Sequence, residues 1–118
     1  MYGYQIITVG SGAAVSNWID LRDYGLGGLV TPAALDTNSH VAFMVTNDPV
    51  NNPGGFPLYD EGTGSLVEVP VAINAARAYQ FPVNVFTWPW VKIWLENAGA
   101  DVAQAADRRF IVFSKSVN

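Results

Sequence analysis

Trp88-Pro89-Trp90-Val91-Lys92-Ile93-Trp94 holds three of the chain's four tryptophans. From Trp90 onward the pattern repeats every second residue. Val91, Ile93 and Leu95 share one face, and Trp90, Lys92 and Trp94 share the other. Such alternation marks a strand, and aromatic and β-branched residues suit its pleated surface. The unbroken apolar face is expected to enter a core. The tryptophan face need not be fully solvated. This strand reads as the central one, with the others packed around it.

Upstream, Tyr4–Val9 reads as a first strand, and Gly10-Ser11-Gly12 breaks it. Ala13–Leu21 alternates imperfectly and reads as a strand ending near Asp20 or Arg22. Leu26–Thr31 is a short apolar strand. Pro32 stops it or makes it an edge, because proline has no amide to give a ladder. Residues 33–39 form a loop with room for one helical turn. His40–Thr46 is apolar on both faces, as a central strand of a sandwich would be. Three prolines and two glycines make Asn47–Pro57 irregular. Pro57–Asp60 is a short strand, residues 61–64 are a turn, and Leu66–Ile73 and Arg77–Phe81 are further strands. Residues 82–87 are irregular or a single helical turn. Beyond the tryptophan strand, residues 97–101 are loop and Val102–Asp107 can form a turn of helix. Arg109–Ser114 closes the chain, with Phe110, Val112 and Ser114 opposite Ile111 and Phe113.

About eight short strands separated by turn signals predict an all-β protein. The first choice is a single β-sandwich domain over residues 1–118, jelly-roll-like, since a jelly roll places eight strands in two sheets. An immunoglobulin-like sandwich is the alternative, although its cysteine pair is absent. Residues 1–5 read as an N-terminal arm.

Composition removes several function classes. Half of the 118 residues are hydrophobic and 14% are charged, which is the opposite of a disordered chain. So little charge fits a surface partly covered by a partner, or one rich in Ser, Thr and Asn. The net charge is −4 and the six Lys and Arg are scattered, so no nucleic acid is expected as a partner. There is no cysteine, hence no disulfide and no thiolate metal site. No apolar run approaches the roughly 18 residues of a membrane span. The first residues lack the basic and apolar regions of a secretory leader, so none is expected.

No constellation of residues carries a reaction. His40 is the single histidine. Common zinc sites need more than one nitrogen or sulfur ligand, so His40 reads as a strand-start or loop residue. Asp60 and Glu61 suggest a glycosidase pair, but adjacent strand residues point to opposite faces. The turn Asp60-Glu61-Gly62-Thr63 lacks EF-hand spacing and reads as a hairpin turn rather than a calcium loop. Gly10-Ser11-Gly12 and Gly25-Leu26-Gly27-Gly28 lack the Lys-Ser/Thr of a phosphate loop. No enzyme, cofactor or metal is expected. The aromatic residues can serve a protein interface or a carbohydrate platform, or simply fill the core. Tyr2, Tyr4, Phe56 and Trp88 are the candidates for partner contact. The first two lie on the expected arm, and the other two lie in irregular stretches beside prolines.

Several short motifs occur in an order that resembles a recurrent type of small virion protein of tailed phages. They are Gly28-Leu29-Val30-Thr31-Pro32-Ala33-Ala34-Leu35, Val41-Ala42-Phe43-Met44-Val45, Pro57-Leu58-Tyr59-Asp60-Glu61-Gly62 and Leu66-Val67-Glu68-Val69. Ala76-Arg77, Trp90-Val91-Lys92-Ile93 and Gln104-Ala105-Ala106-Asp107-Arg108-Arg109-Phe110-Ile111-Val112 follow. The similarity runs from about Asn17 to Phe113. The loop from Asn47 to Phe56 and Trp88-Pro89-Trp90 depart from that pattern. The resemblance implies a capsid cement or decoration protein, made in the host cytoplasm and carried on the virion. Its implied partners are the major capsid protein and copies of itself, as a homotrimer. A carbohydrate-binding module of a fibre and a tail or head-completion component are the alternatives.

Overall fold

The computed structural model describes residues 2–116, and of Tyr2 only the backbone. Ten strands follow one another: β1 (Tyr2–Val9), β2 (Ile19–Asp20), β3 (Leu26–Val30), β4 (His40–Thr46), β5 (Phe56–Pro57), β6 (Glu68–Val69), β7 (Ala78–Gln80), β8 (Trp90–Asn97), β9 (Ala100–Asp101) and β10 (Arg108–Lys115). Four antiparallel pairs nest inside one another: β1 with β10, β2 with β8, β3 with β7 and β4 with β5. The chain is thus one long hairpin rolled up. Pairing of β10 with β3 and of β8 with β4 closes it into two sheets, β1-β10-β3-β7 and β2-β8-β4-β5. The short β6 adds to β4, and β9 adds to β8. A four-stranded sheet and a six-stranded one built on four main strands, wound in this nested order, are a jelly roll.

The core lies between the sheets. Val91, Ile93 and Leu95 of β8 are fully buried, as are Val41 and Phe43 of β4. Ile7 and Val9 of β1, Leu29 of β3, and Phe110 and Val112 of β10 come from the opposite sheet. Each such side chain contributes about 1.5–3 kcal/mol by leaving water. Phe43 of one sheet meets Phe81, just past β7 of the other, edge-on at 5.6 Å. In β3, Gly27 and Gly28 permit close strand approach. A Cβ on Gly27 would strike the Phe113 carbonyl oxygen, and one on Gly28 would lie 2.7 Å from that of Tyr79.

The expected strand Ala13–Leu21 is a strand only over Ile19–Asp20. Val15 pairs with Trp94 but Ile19 pairs with Val91, so one extra residue sits between the two pairings. This is a bulge. The Ile93 amide donates to Ser16 Oγ at 3.0 Å in place of a ladder partner. Before the bulge, Ala14 packs with Ala42 and Trp94. Trp94 is thereby only 6% exposed, and its Nε1 donates to Asp101 Oδ1 at 2.8 Å.

Three more expectations are corrected. Residues 2–5 are the first half of β1, paired with Val112–Lys115, instead of an arm. Leu66–Ile73 keeps ladder pairing at Glu68–Val69 and an isolated bridge from Leu66 to Tyr59, and Pro70 cannot extend the ladder further. Val102–Asp107 forms no helix: the buried Gln104 is tied to several backbone and side-chain groups. Its Oε1 accepts from the Asp36 amide and Arg108 Nε, and its Nε2 donates to Ser39 Oγ and the Val102 carbonyl. Residues 82–87, left open between irregular and helical, contain a 3-10 turn at Val83–Thr87.

Arg108 also donates to Asp36 Oδ1 at 2.6 Å. That bond, with the Ala105 amide, holds the Asp36 carboxyl below its usual range. Asp36 therefore stabilises the fold above the ordinary aspartate pKa of about 3.9, and the contribution is lost as pH falls through the lowered folded value. Urea unfolding of the wild type and Asp36→Asn should show a gap at pH 6 that shrinks near pH 3.

Residues 97–101, expected as loop, are a tight hairpin. Asn97 pairs with Ala100 around Ala98 (φ 52°) and Gly99 (φ 83°). Positive φ at both central residues is the turn that Asn-Gly serves best. Alanine is strained there by about 1–2 kcal/mol. Ala98→Asn should raise the unfolding free energy by about 0.5–1 kcal/mol, measurable by urea denaturation.

Candidate functional site

In a sandwich, each sheet turns alternate residues outward. On the outside of β1-β10-β3-β7 these residues are unusually apolar. Register places Tyr4 beside Phe113 and Gly28, and Ile6 beside Ile111 and Val30. Leu26 stands next to Lys115 at one end, and Thr8 next to Arg109 at the other. Tyr4 is 56% exposed, Ile6 59%, Leu26 43% and Phe113 39%. Tyr4 and Phe113 stack edge-on at 5.3 Å, an aromatic pair formed in solvent. The missing side chain at Gly28 leaves a cleft of about 260 Å³ along Leu26, Phe113 and Lys115. A single exposed apolar residue means little, but a contiguous patch on one sheet face marks an interaction site. Among the described residues, Arg109 and Lys115 are its charged residues, and no acid shares the face.

The outside of the second sheet is different. Ala14, Val15 and Leu66 cover Ala42 and Trp94. Lys92 lies over the Trp18 ring at 4.5 Å and donates to the Pro53 carbonyl at 2.7 Å. Arg22 lies over the Trp90 ring at 4.8 Å. The protein's own loops therefore occupy much of this face.

The four expected contact residues do not form one site. Tyr4 belongs to the apolar face. The side chain of Tyr2 lies outside the described residues. Phe56 is 54% exposed but sits on β5, in the other sheet. Trp88 packs partly against the core. With Tyr59, Glu61, Asn84 and Thr87 it lines a separate cleft of about 260 Å³. Ile6, Leu26, Ile111 and Phe113 were not among the candidates. Their signal was present in β10, where Ile111 and Phe113 are apolar on the face opposite Phe110 and Val112.

A polar cluster lies at one end of the second sheet. His40 opens β4 and stands directly across from Glu96 on β8, while Glu68 is on β6 beside Ala42. Glu96 is 0% exposed. Its Oε1 accepts from the Gly99 amide at 3.0 Å, which the tight hairpin brings over it. Its Oε2 has no hydrogen-bond partner among the described residues. His40 Nδ1 is 3.4 Å from Glu68 Oε2, and both side chains reach solvent. Burial pushes the Glu96 carboxyl up to about 7, and the Glu68 carboxyl adds to the rise. The Gly99 amide and His40 pull the other way. A buried ionised carboxylate with a bare oxygen costs several kcal/mol. A shared proton or a cation would relieve it. Such an arrangement is legible only once register places three distant residues together.

Compared with protein-family models, with curated proteins and with solved structures, the chain finds no match.

Proposed function

We propose that this protein works by docking rather than by catalysis, through the outer face of the β1-β10-β3-β7 sheet. The contiguous apolar surface of the exposed Tyr4, Ile6, Leu26 and Phe113 with the half-buried Ile111 carries this reading. Its specific form is capsid decoration: a non-enzymatic virion protein that binds the outside of an icosahedral head and clamps neighbouring capsid subunits. The sequence resemblance to small phage virion proteins supports that form, as does the low content of charge. The β-sandwich body is compatible with it, although a jelly roll alone does not specify a function.

The mechanism is mass action. A protein that binds the assembled shell and not the free subunits stabilises the shell by its binding free energy. Arg109 and Lys115 at the two ends of the face favour a shell surface with acidic groups around an apolar centre. The same face disfavours stacking on a second copy about a two-fold axis, because Arg109 would then approach Lys115. Association into a trimer, which suits three-fold sites on a shell, would use other surfaces. Purified protein should bind empty capsids encoded by the same genome at micromolar concentration or tighter. No sedimentation with those capsids would overturn the decoration reading.

A carbohydrate-binding role is the second reading, favoured by the cleft where Tyr59 and Trp88 lie with Glu61 and Asn84. Sugars that quench tryptophan fluorescence in the wild type but not in Trp88→Ala would support it.

A further inference from the structure

We propose that His40, Glu68 and Glu96 form a binding site for a divalent metal ion of the class that accepts imidazole nitrogen together with carboxylate oxygen, with Zn²⁺ as its representative. Their ligand atoms all lie within 4.8 Å of one another. An ion about 2.0–2.2 Å from each would space its ligands roughly 3–4 Å apart, so small side-chain movements complete the set.

The decisive observation is Glu96 Oε2. It is buried and no donor among the described residues reaches it; the Glu68 carboxyl is close enough to the same carboxylate to bond to it, but only by sharing a proton, and all three groups could close around an ion. Surface acids cluster commonly without a ligand, but a buried carboxylate oxygen with nothing to accept is uncommon. The other oxygen of the same carboxylate is held by the Gly99 amide, which fixes its orientation. Glu68 has no lysine or arginine ion pair among the described residues. It faces His40, itself a metal-ligand type, and the Glu96 carboxyl.

The donor set selects the ion. One imidazole nitrogen argues against Ca²⁺ and Mg²⁺, which prefer oxygen throughout. Two carboxylates and no thiolate argue against Cu⁺. Three protein ligands leave a fourth position for water in a tetrahedral site; with one nitrogen where the common zinc sites carry two or more, the expected affinity is micromolar rather than nanomolar. His40 and Glu68 reach solvent, so the ion can enter without the fold opening. Once bound, it joins β4, β6 and β8. That link would fasten β6, whose ladder is only two residues long. The site is independent of the docking face, since it belongs to the other sheet.

The test uses untagged full-length protein, stripped with chelator and titrated with Zn²⁺ by calorimetry. His40 is the single histidine, so its imidazole NMR signals report the site without ambiguity. The expected result is one ion per chain with Kd at or below about 10 µM, shifted His40 signals, and a Tm raised by about 5 °C or more at saturation. Glu96→Gln and Glu68→Gln should each weaken binding at least about tenfold, while Glu61→Gln leaves it unchanged. If Glu96→Gln fails to fold, Glu68→Gln decides, because that side chain is partly exposed. Absence of binding up to about 1 mM Zn²⁺ would overturn the proposal and leave a proton shared between the carboxylates. Binding that leaves the His40 signals unmoved, or that Glu68→Gln does not weaken, would overturn it equally.

Discussion

Under the docking proposal, Ile6→Glu combined with Phe113→Glu should weaken binding to the shell at least about 100-fold while the domain stays folded. Ile6 and Phe113 are 59% and 39% exposed, so neither substitution opens the core. Phe113→Glu removes the edge-on contact with Tyr4, which is worth about 0.5–1.5 kcal/mol. Exposed substitutions otherwise change stability by about 0.5 kcal/mol or less. Binding is affected far more strongly. Each change deletes an apolar anchor and puts a carboxylate where the interface must be dry, at a cost of about 2 kcal/mol or more apiece. Co-sedimentation with capsids reads the first effect, and thermal unfolding the second. A parallel variant, Val50→Glu, alters a residue that is 85% exposed on the 47–57 loop, far from this face in the strand order. It should bind as the wild type does. If the loop variant lost binding and the sheet variant did not, contact would lie in the loop.

Phe43→Ala should be the most destabilising single truncation in the core, lowering the unfolding free energy by about 3–5 kcal/mol. Phe43 is fully buried on β4 and spans the gap between the sheets to reach Phe81. Phe81 in turn packs on Phe86 of the 3-10 turn at 5.9 Å. Removing the first ring therefore leaves a cavity bounded by both sheets, which a rolled hairpin cannot close by sliding one strand. Small domains are stable by only about 5–15 kcal/mol in total. The Tm should fall by roughly 10–20 °C. Phe43→Leu, which refills most of the volume, should recover more than half of the loss in the same urea or thermal experiment.

These two results separate the two faces of the same sandwich, and the sequence makes them unequally visible. β4 is readable to the residue as His40–Thr46, and β8 from Trp90 onward, because their alternation is unbroken and their inward residues are all apolar. Two-sheet architecture follows from many short strands with turn signals between them. Ala13–Leu21 misleads because a bulge at 16–18 shifts the phase by one residue, and local alternation cannot show which partner strand absorbs the shift. Val102–Asp107 looks capable of helix, yet Gln104 makes four hydrogen bonds, two of them to Asp36 and Ser39 far away in the chain.

The proposed docking face was half legible. Ile111 and Phe113 make β10 apolar on both sides, which marks a strand covered on both sides. Only pairing with β1 and β3 shows that Tyr4, Ile6 and Leu26 continue the same surface. The His40 cluster was not legible at all. One histidine is a weak metal signal by spacing rules. Its partners come from β6 and β8, and it is the β4–β8 register that places Glu96 opposite His40. Glu96 also breaks the expectation that an outward strand residue is solvated, since the 97–100 hairpin covers it.

The most direct measurement is cryo-electron microscopy of the particle to which the decoration proposal assigns this protein. Docking through the first sheet requires density in many copies over the capsid lattice, with Tyr4, Ile6, Ile111 and Phe113 turned toward the shell. Copies bound with that face open to solvent, a few copies confined to a tail vertex, or no copies on the particle would contradict it.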